Sequence, residues 1–190
     1  MLAPLSAEPL DLAERLLDRF GSIGALIDAS EAELRQCAHP GERWVDVFLA
    51  IRQLLRDGIR EQVLRTPLGK DRKGMERYLL ETMGCLRRER MIAIMADRAG
   101  FVISEEIVAE GGEGEIQVSP RALFGRALSL DAHRMLIAHN HPSGSAEPSA
   151  SDISQTRDLV SQAERLGVLV DDHLVVGRRE VVSMRERGLM

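Results

Sequence analysis

The chain has 190 residues, of which 44% are hydrophobic, 29% charged and 3% aromatic, and its formal net charge is −5 at pH 7. That length holds one domain, or one domain with a small appendage, and the composition is that of a soluble globular chain rather than a disordered one. So few rings argue against a nucleic-acid platform of stacked aromatics, and an acidic chain has no global attraction for phosphate.

Cys37 and Cys85 form neither a Cys-x-x-Cys pair nor a disulfide framework. The stretch Met1 to Leu10 lacks a basic, then apolar, leader pattern, and no apolar run is long enough to span a bilayer. The expectation is a cytoplasmic protein without a membrane partner.

In chain order, Leu12, Leu16, Leu17 and Phe20 stand at helical spacing, and Gly21 ends that helix. A short helix over Ser22 to Ile27 follows, then a capping box formed by Ser30 and Glu33. Trp44, Val45, Phe48, Leu49, Ile51 and Leu54 line a longer helix ending near Gly58. A bundle of about 55 residues is marginal alone, which implies that it packs on the rest. Thr66-Pro67-Leu68-Gly69 breaks the pattern, so the expected division is a helical region over 1–66 and a second domain over 67–190.

Met75, Tyr78, Leu79 and Met83 share one side of a further helix, and then the period changes. Met91 to Met95 reads as a buried strand, Asp97 to Gly100 as a turn and Phe101 to Val108 as a second strand. A glycine loop over 111–114 precedes a strand at 116–118, and Pro120 opens a helix reaching Leu130. Met135 to Ala138 reads as a buried strand, a helix runs from about Ser149 to Leu166, and 168–176 and 180–184 close the sheet. Alternating helices and strands imply a mixed α/β fold with helix-covered sheet faces. The glycine loop lacks the Gly-Lys-Ser/Thr ending of a phosphate cradle. The charged stretch Arg60 to Arg90 mixes Arg and Lys with Glu61, Asp71, Glu76, Glu81 and Glu89, and reads as a solvated surface.

The chemistry concentrates in Ala138-His139-Asn140-His141-Pro142-Ser143-Gly144 and Ser149-Ala150-Ser151-Asp152. In extended chain, positions i and i+2 point the same way, so His139 and His141 can face one ion. Pro142 and Gly144 then turn the chain, and the next helix carries Asp152 on its first turn. Two imidazoles and a carboxylate suit zinc, and three protein ligands leave a fourth position open, as in catalytic sites. Ser149 with Asp152 also has the form of a capping box, a role compatible with binding metal. A zinc hydrolase needs a general base, for which Glu105, Glu106 and Glu110 are candidates; alternation puts Glu105 and Glu106 on opposite faces without choosing between them. A deaminase-type zinc site is the weaker alternative, since it needs a histidine and a Cys-x-x-Cys pair and the chain has no such pair.

His139-Asn140-His141-Pro142-Ser143-Gly144, Glu147-Pro148-Ser149 and Asp152 resemble the signature of RadC-like proteins, members of the JAB/MPN metalloprotease superfamily with its JAMM motif. Val118 to Arg121, Asp172 to Gly177 and Arg185 to Leu189 extend the resemblance over roughly Arg88 to Met190. It implies a helix-flanked mixed sheet related to that of cytidine deaminases, with Zn2+ on His139, His141 and Asp152. It puts the catalytic glutamate on Glu106 and an oxyanion-steadying serine on Ser149, for hydrolysis of a peptide or isopeptide bond in a peptide or protein substrate. His173 reads as a supporting residue rather than a fourth ligand, and His133 as surface. The amino-terminal part resembles the family's helix-hairpin-helix region, but its turn reads His39-Pro40-Gly41, and proline removes an amide donor. The alternative function is a DNA-associated or protein-interaction module with a vestigial or accessory metal site.

Overall fold

In the computed structural model, which describes residues 9–111 and 118–190, the chain falls into two units, one ending at Gly58 and one beginning at Ile59. In the first unit, α1 (Pro9–Phe20), α2 (Ile23–Asp28), α3 (Glu31–Gln36) and the first turns of α4 (Trp44–Leu64) surround Leu16, Leu34, Trp44 and Val45. Gly21, at φ +73, ends α1 by donating its N–H to the Leu17 carbonyl. The capping box at α3 is present: Ser30 Oγ accepts from the Glu33 N–H, and the Glu33 carboxylate accepts from the Ser30 N–H.

The expected end of α4 near Gly58 is corrected: the helix runs on to Leu64. A glycine inside a helix costs about 1 kcal/mol relative to alanine. Beyond it, Ile59, Val63 and Leu64 bury apolar surface in the second unit's core, which more than offsets that cost.

The second unit adds α5 (Arg72–Met83), β1 (Arg90–Ala96), β2 (Val102–Glu110), α6 (Pro120–Ser129), β3 (Arg134–Asn140), α7 (Ala150–Arg165), β4 (Leu169–Val176) and β5 (Val181–Ser183). The strands form one mixed sheet in the order β2-β1-β3-β4-β5, antiparallel except for the β3–β4 pair. The glycine loop read at 111–114 and the strand read at 116–118 lie, but for Gly111 and Val118, outside the described residues.

Strand alternation sorts the central strands onto two cores. Met91, Ala93 and Met95 of β1, with Met135 and Ile137 of β3, meet Leu123, Phe124 and Ala127 of α6 and Leu159 and Ala163 of α7. Ile92, Ile94 and Ala96, with Leu136 and Ala138, meet Met75, Tyr78, Leu79 and Met83 of α5 on the other face. Burial on both faces explains why β1 reads as an unbroken apolar run. The chain is a mixed α/β fold with a helix-flanked sheet and a helical region before it. Among the described residues, no helix is long and apolar enough to cross a membrane.

Candidate metal centre

β3 delivers the first histidine. Met135, Ile137 and His139 alternate onto the α7 side of the sheet, and His139 is fully buried there. His141 follows the strand end, with its N–H on the Val176 carbonyl at 3.0 Å. The chain then turns back, the Gly144 N–H meeting the His141 carbonyl at 2.9 Å, with Gly144 at φ +87, a conformation that favours glycine.

α7 delivers the carboxylate. Ser149 is its N-cap: Ser149 Oγ accepts from the Asp152 N–H at 3.1 Å, and Asp152 Oδ2 accepts from the Ser149 N–H at 2.7 Å. The same carboxylate faces both rings, with Oδ1 3.4 Å from His139 Nε2 and Oδ2 3.3 Å from His141 Nε2. The two Nε2 atoms lie 3.0 Å apart. Asp152 therefore caps its helix and meets the histidines at once.

These spacings can be compared with what a small cation demands. Ligand atoms arranged tetrahedrally about 2.0–2.1 Å from zinc stand about 3.3–3.4 Å from one another. His141 Nδ1 lies 3.1 Å from the Ser145 carbonyl, which can only accept, so in the neutral ring the proton is on Nδ1 and the Nε2 lone pair faces Asp152. Lone pairs converging at such distances are stable only with positive charge between them, a proton or a metal ion. The protein's own electrostatics agree. Burial works to raise the Asp152 carboxyl, but its contacts with His139, His141 and Ser149 hold it well below the usual range. The bond to Asp152 raises His141 above an ordinary imidazole, against the effect of burial.

A fourth residue joins these three. Glu89, His139, His141 and Asp152 each offer a ligand atom within 4.8 Å of the others, a set that could hold a metal ion. β1 pairs Met91 with His139, so Glu89, two residues earlier, falls opposite His141 on the same face. Asn140 fixes that approach: its side chain accepts from the Arg90 N–H at 2.9 Å and donates to the Arg88 carbonyl at 3.1 Å and the Leu86 carbonyl at 3.4 Å. The residue between the two histidines thus holds the backbone on either side of Glu89. Glu89, Met91, Ser149, Ser151 and Gln155 join His141 and Asp152 around a cleft of about 140 Å3.

In the sequence Glu89 reads as part of the solvated surface of Arg60 to Arg90. Its signal is non-local, because only the β1–β3 pairing carries it to the histidines. Glu106 is elsewhere. It pairs with Ala93 on β2, on the His139 face of the sheet but two strands away and one alternation back. From strand spacing and rise, that is roughly 12 Å from His139, backbone to backbone. Its Oε1 accepts from Arg126 Nε at 2.6 Å and from Ser104 Oγ at 2.8 Å. Burial would raise the Glu106 carboxyl, but these two donors hold it below the usual value. Glu105 points to the opposite face, where it meets Tyr78 and Arg60. His173 is fully buried on β4, 2.8 Å from His139 Nδ1, and burial pushes its pKa well below that of a free imidazole.

Known proteins share this arrangement of sequence. The family model for the RadC-like JAB domain matches residues 70–189. A UPF0758 protein of Rhodobacter capsulatus is 35% identical over 179 residues, covering 94% of this chain and 84% of that protein. One from Leptothrix cholodnii is 36% identical over 181 residues, 95% and 82% of the two chains, and one from Paraburkholderia xenovorans is 34% identical over 178, 94% and 70%. The cluster around His139 lies inside the matched span, and both the domain match and these relatives show that the chain belongs to the RadC-like JAB domain family.

Proposed function

We propose that the chain is a zinc metallopeptidase or isopeptidase, hydrolysing an amide bond in a peptide or protein, with His139, His141 and Asp152 as the ligands. The observation that carries this reading is the convergence of His139 Nε2, His141 Nε2 and the two Asp152 carboxylate oxygens at 3.0–3.4 Å, beside a glutamate and a cleft. Zinc, when bound there, supplies Lewis acidity that lowers the pKa of water and polarises a carbonyl.

The chain's own residues supply the rest. Glu89 borders the cleft, where its carboxylate takes a proton from an entering water and passes it to the departing amine. Geometry favours it over Glu106, which stands on β2, two strands from the histidines. Ser149 Oγ accepts from the Asp152 N–H, which leaves its own hydrogen for an oxygen gaining negative charge in the cleft. The helical unit ending at Gly58 is proposed as a structural module. DNA contact through its 39–41 turn is not supported: the His39 N–H is spent on the Glu42 carboxylate at 2.8 Å, and Pro40 has none to give.

The test is a panel of peptides and isopeptide-linked conjugates, followed by E89Q and E106Q on whichever substrate is cleaved. E89Q is expected to keep its zinc and lose about 10²–10⁴-fold in turnover, the usual worth of a general base, while E106Q keeps most activity. The reverse result would return the base to Glu106. No chelator-sensitive cleavage across the panel, in protein with full zinc, would sink the hydrolytic reading.

A further inference from the structure

We propose that Thr156 and His173 are positioning residues whose hydrogen bonds set the tautomer of His139, presenting its Nε2 to the cleft as a lone pair rather than as an N–H. This inference rests on the reading of the cluster as a metal centre.

The chain of contacts starts and ends on the same residue. Thr156 Oγ1 lies 2.6 Å from the main-chain carbonyl of Asp152, one turn earlier in α7. It lies 2.6 Å from His173 Nδ1. His173 Nε2 is 2.8 Å from His139 Nδ1, and His139 Nε2 faces Asp152 Oδ1 at 3.4 Å. Thr156, His139 and His173 are all buried, so no bulk water can substitute for a partner.

Only one direction of donation satisfies every member. Two oxygens at 2.6 Å repel unless a hydrogen lies between them, and a carbonyl cannot donate. The single Thr156 hydroxyl hydrogen therefore goes to the Asp152 carbonyl; the Met184 sulfur, at 3.6 Å, is a far weaker acceptor. Thr156 Oγ1 can then only accept from His173, so the proton of His173 is on Nδ1 and its Nε2 accepts. His139 must donate from Nδ1, which leaves its Nε2 bare. The order originates in a peptide carbonyl, a group that can only accept, and ends at the atom facing the Asp152 carboxylate. The opposite tautomer of His139 would aim an N–H into the cleft and block an ion. Partners of this kind, behind a ligand, are typically worth about 10- to 100-fold in metal affinity.

Long-range 1H–15N NMR of the metal-free protein reads the tautomers directly, and competition against a zinc chelator reads the affinity. Wild type and T156S are expected to show His139 and His173 as Nδ1–H forms at a pH where both rings are neutral. T156V, which keeps the shape but removes the hydroxyl, is expected to populate the Nε2–H form of His173 and to bind zinc about 10- to 100-fold more weakly. T156S, by keeping the hydroxyl, should restore the affinity. Wild-type protein with His139 in the Nε2–H form overturns the proposal, even if T156V does not fold. So does a folded T156V with unaltered tautomers and affinity. Wild type with the expected tautomers but no zinc binding supports the hydrogen-bond order and overturns the metal-centre reading instead.

Discussion

The carboxylates of β2 and the carboxylate that α7 brings to the end of β3 have different surroundings. On the edge strand β2, Glu105 is held by Arg60 and Tyr78, and Glu106 by Arg126 and Ser104. Each of the two carboxylates has two donors, one of them a permanently charged guanidinium. At the end of β3, the ion-pair partners of Asp152 are two imidazoles whose own second nitrogens are engaged behind them. There the acceptors face one another across a gap of ionic size. The Glu105 and Glu106 carboxylates each meet a guanidinium, whereas Asp152 converges with two imidazole nitrogens in a set that could hold a metal ion.

The sharpest way to break that contrast is to remove side chains from each group. D152A and H139A are expected to fall from about one zinc per chain to almost none, while E105A and E106A retain it. Elemental analysis of protein purified without added metal decides the matter. Full occupancy in both D152A and H139A would erase the difference between the two groups.

A smaller effect tests how Glu89 is kept with the histidines. N140A removes the acceptor of the Arg90 N–H and the donors to the Leu86 and Arg88 carbonyls. An expected loss of about 1–3 kcal/mol, measured by denaturant unfolding, follows from leaving such groups without partners. A loss below about 0.5 kcal/mol would mean that the approach to β1 is held by something other than this side chain.

The smallest effect belongs to the ion pairs of β2. With Arg126 48% and Glu106 26% exposed, R126A should cost only about 0.2–1 kcal/mol, and less in high salt. Because the folded protein holds Glu106 below the ordinary carboxylate value, this contribution is present above that value. It is lost as the pH falls through the depressed folded value. The stability gap between wild type and R126A should therefore close in acid. A gap that stayed constant down to about pH 2 would show that Arg126 acts by packing rather than by charge.

Short-range patterns in the sequence determined the segments that carry His139, His141 and Asp152. Two histidines at i and i+2 share a strand face because side chains alternate, and Ser149 with Asp152 begins a helix because of three-residue capping geometry; both rules act within a few residues. The mixed α/β class followed in the same way, from periods that change between apolar runs. Three matters belonged to tertiary structure alone. α4 passes Gly58 because the residues beyond it have a core to enter, which overrides a local penalty of about 1 kcal/mol. His173 reaches His139 only because β4 lies beside β3, far away in sequence. Glu89, rather than Glu106, reaches the histidines because β1 pairs with β3 in one register, Met91 against His139. Alternation states which face a glutamate takes, but which strand lies next to the histidines is decided by the burial of whole strands, and no local period encodes it.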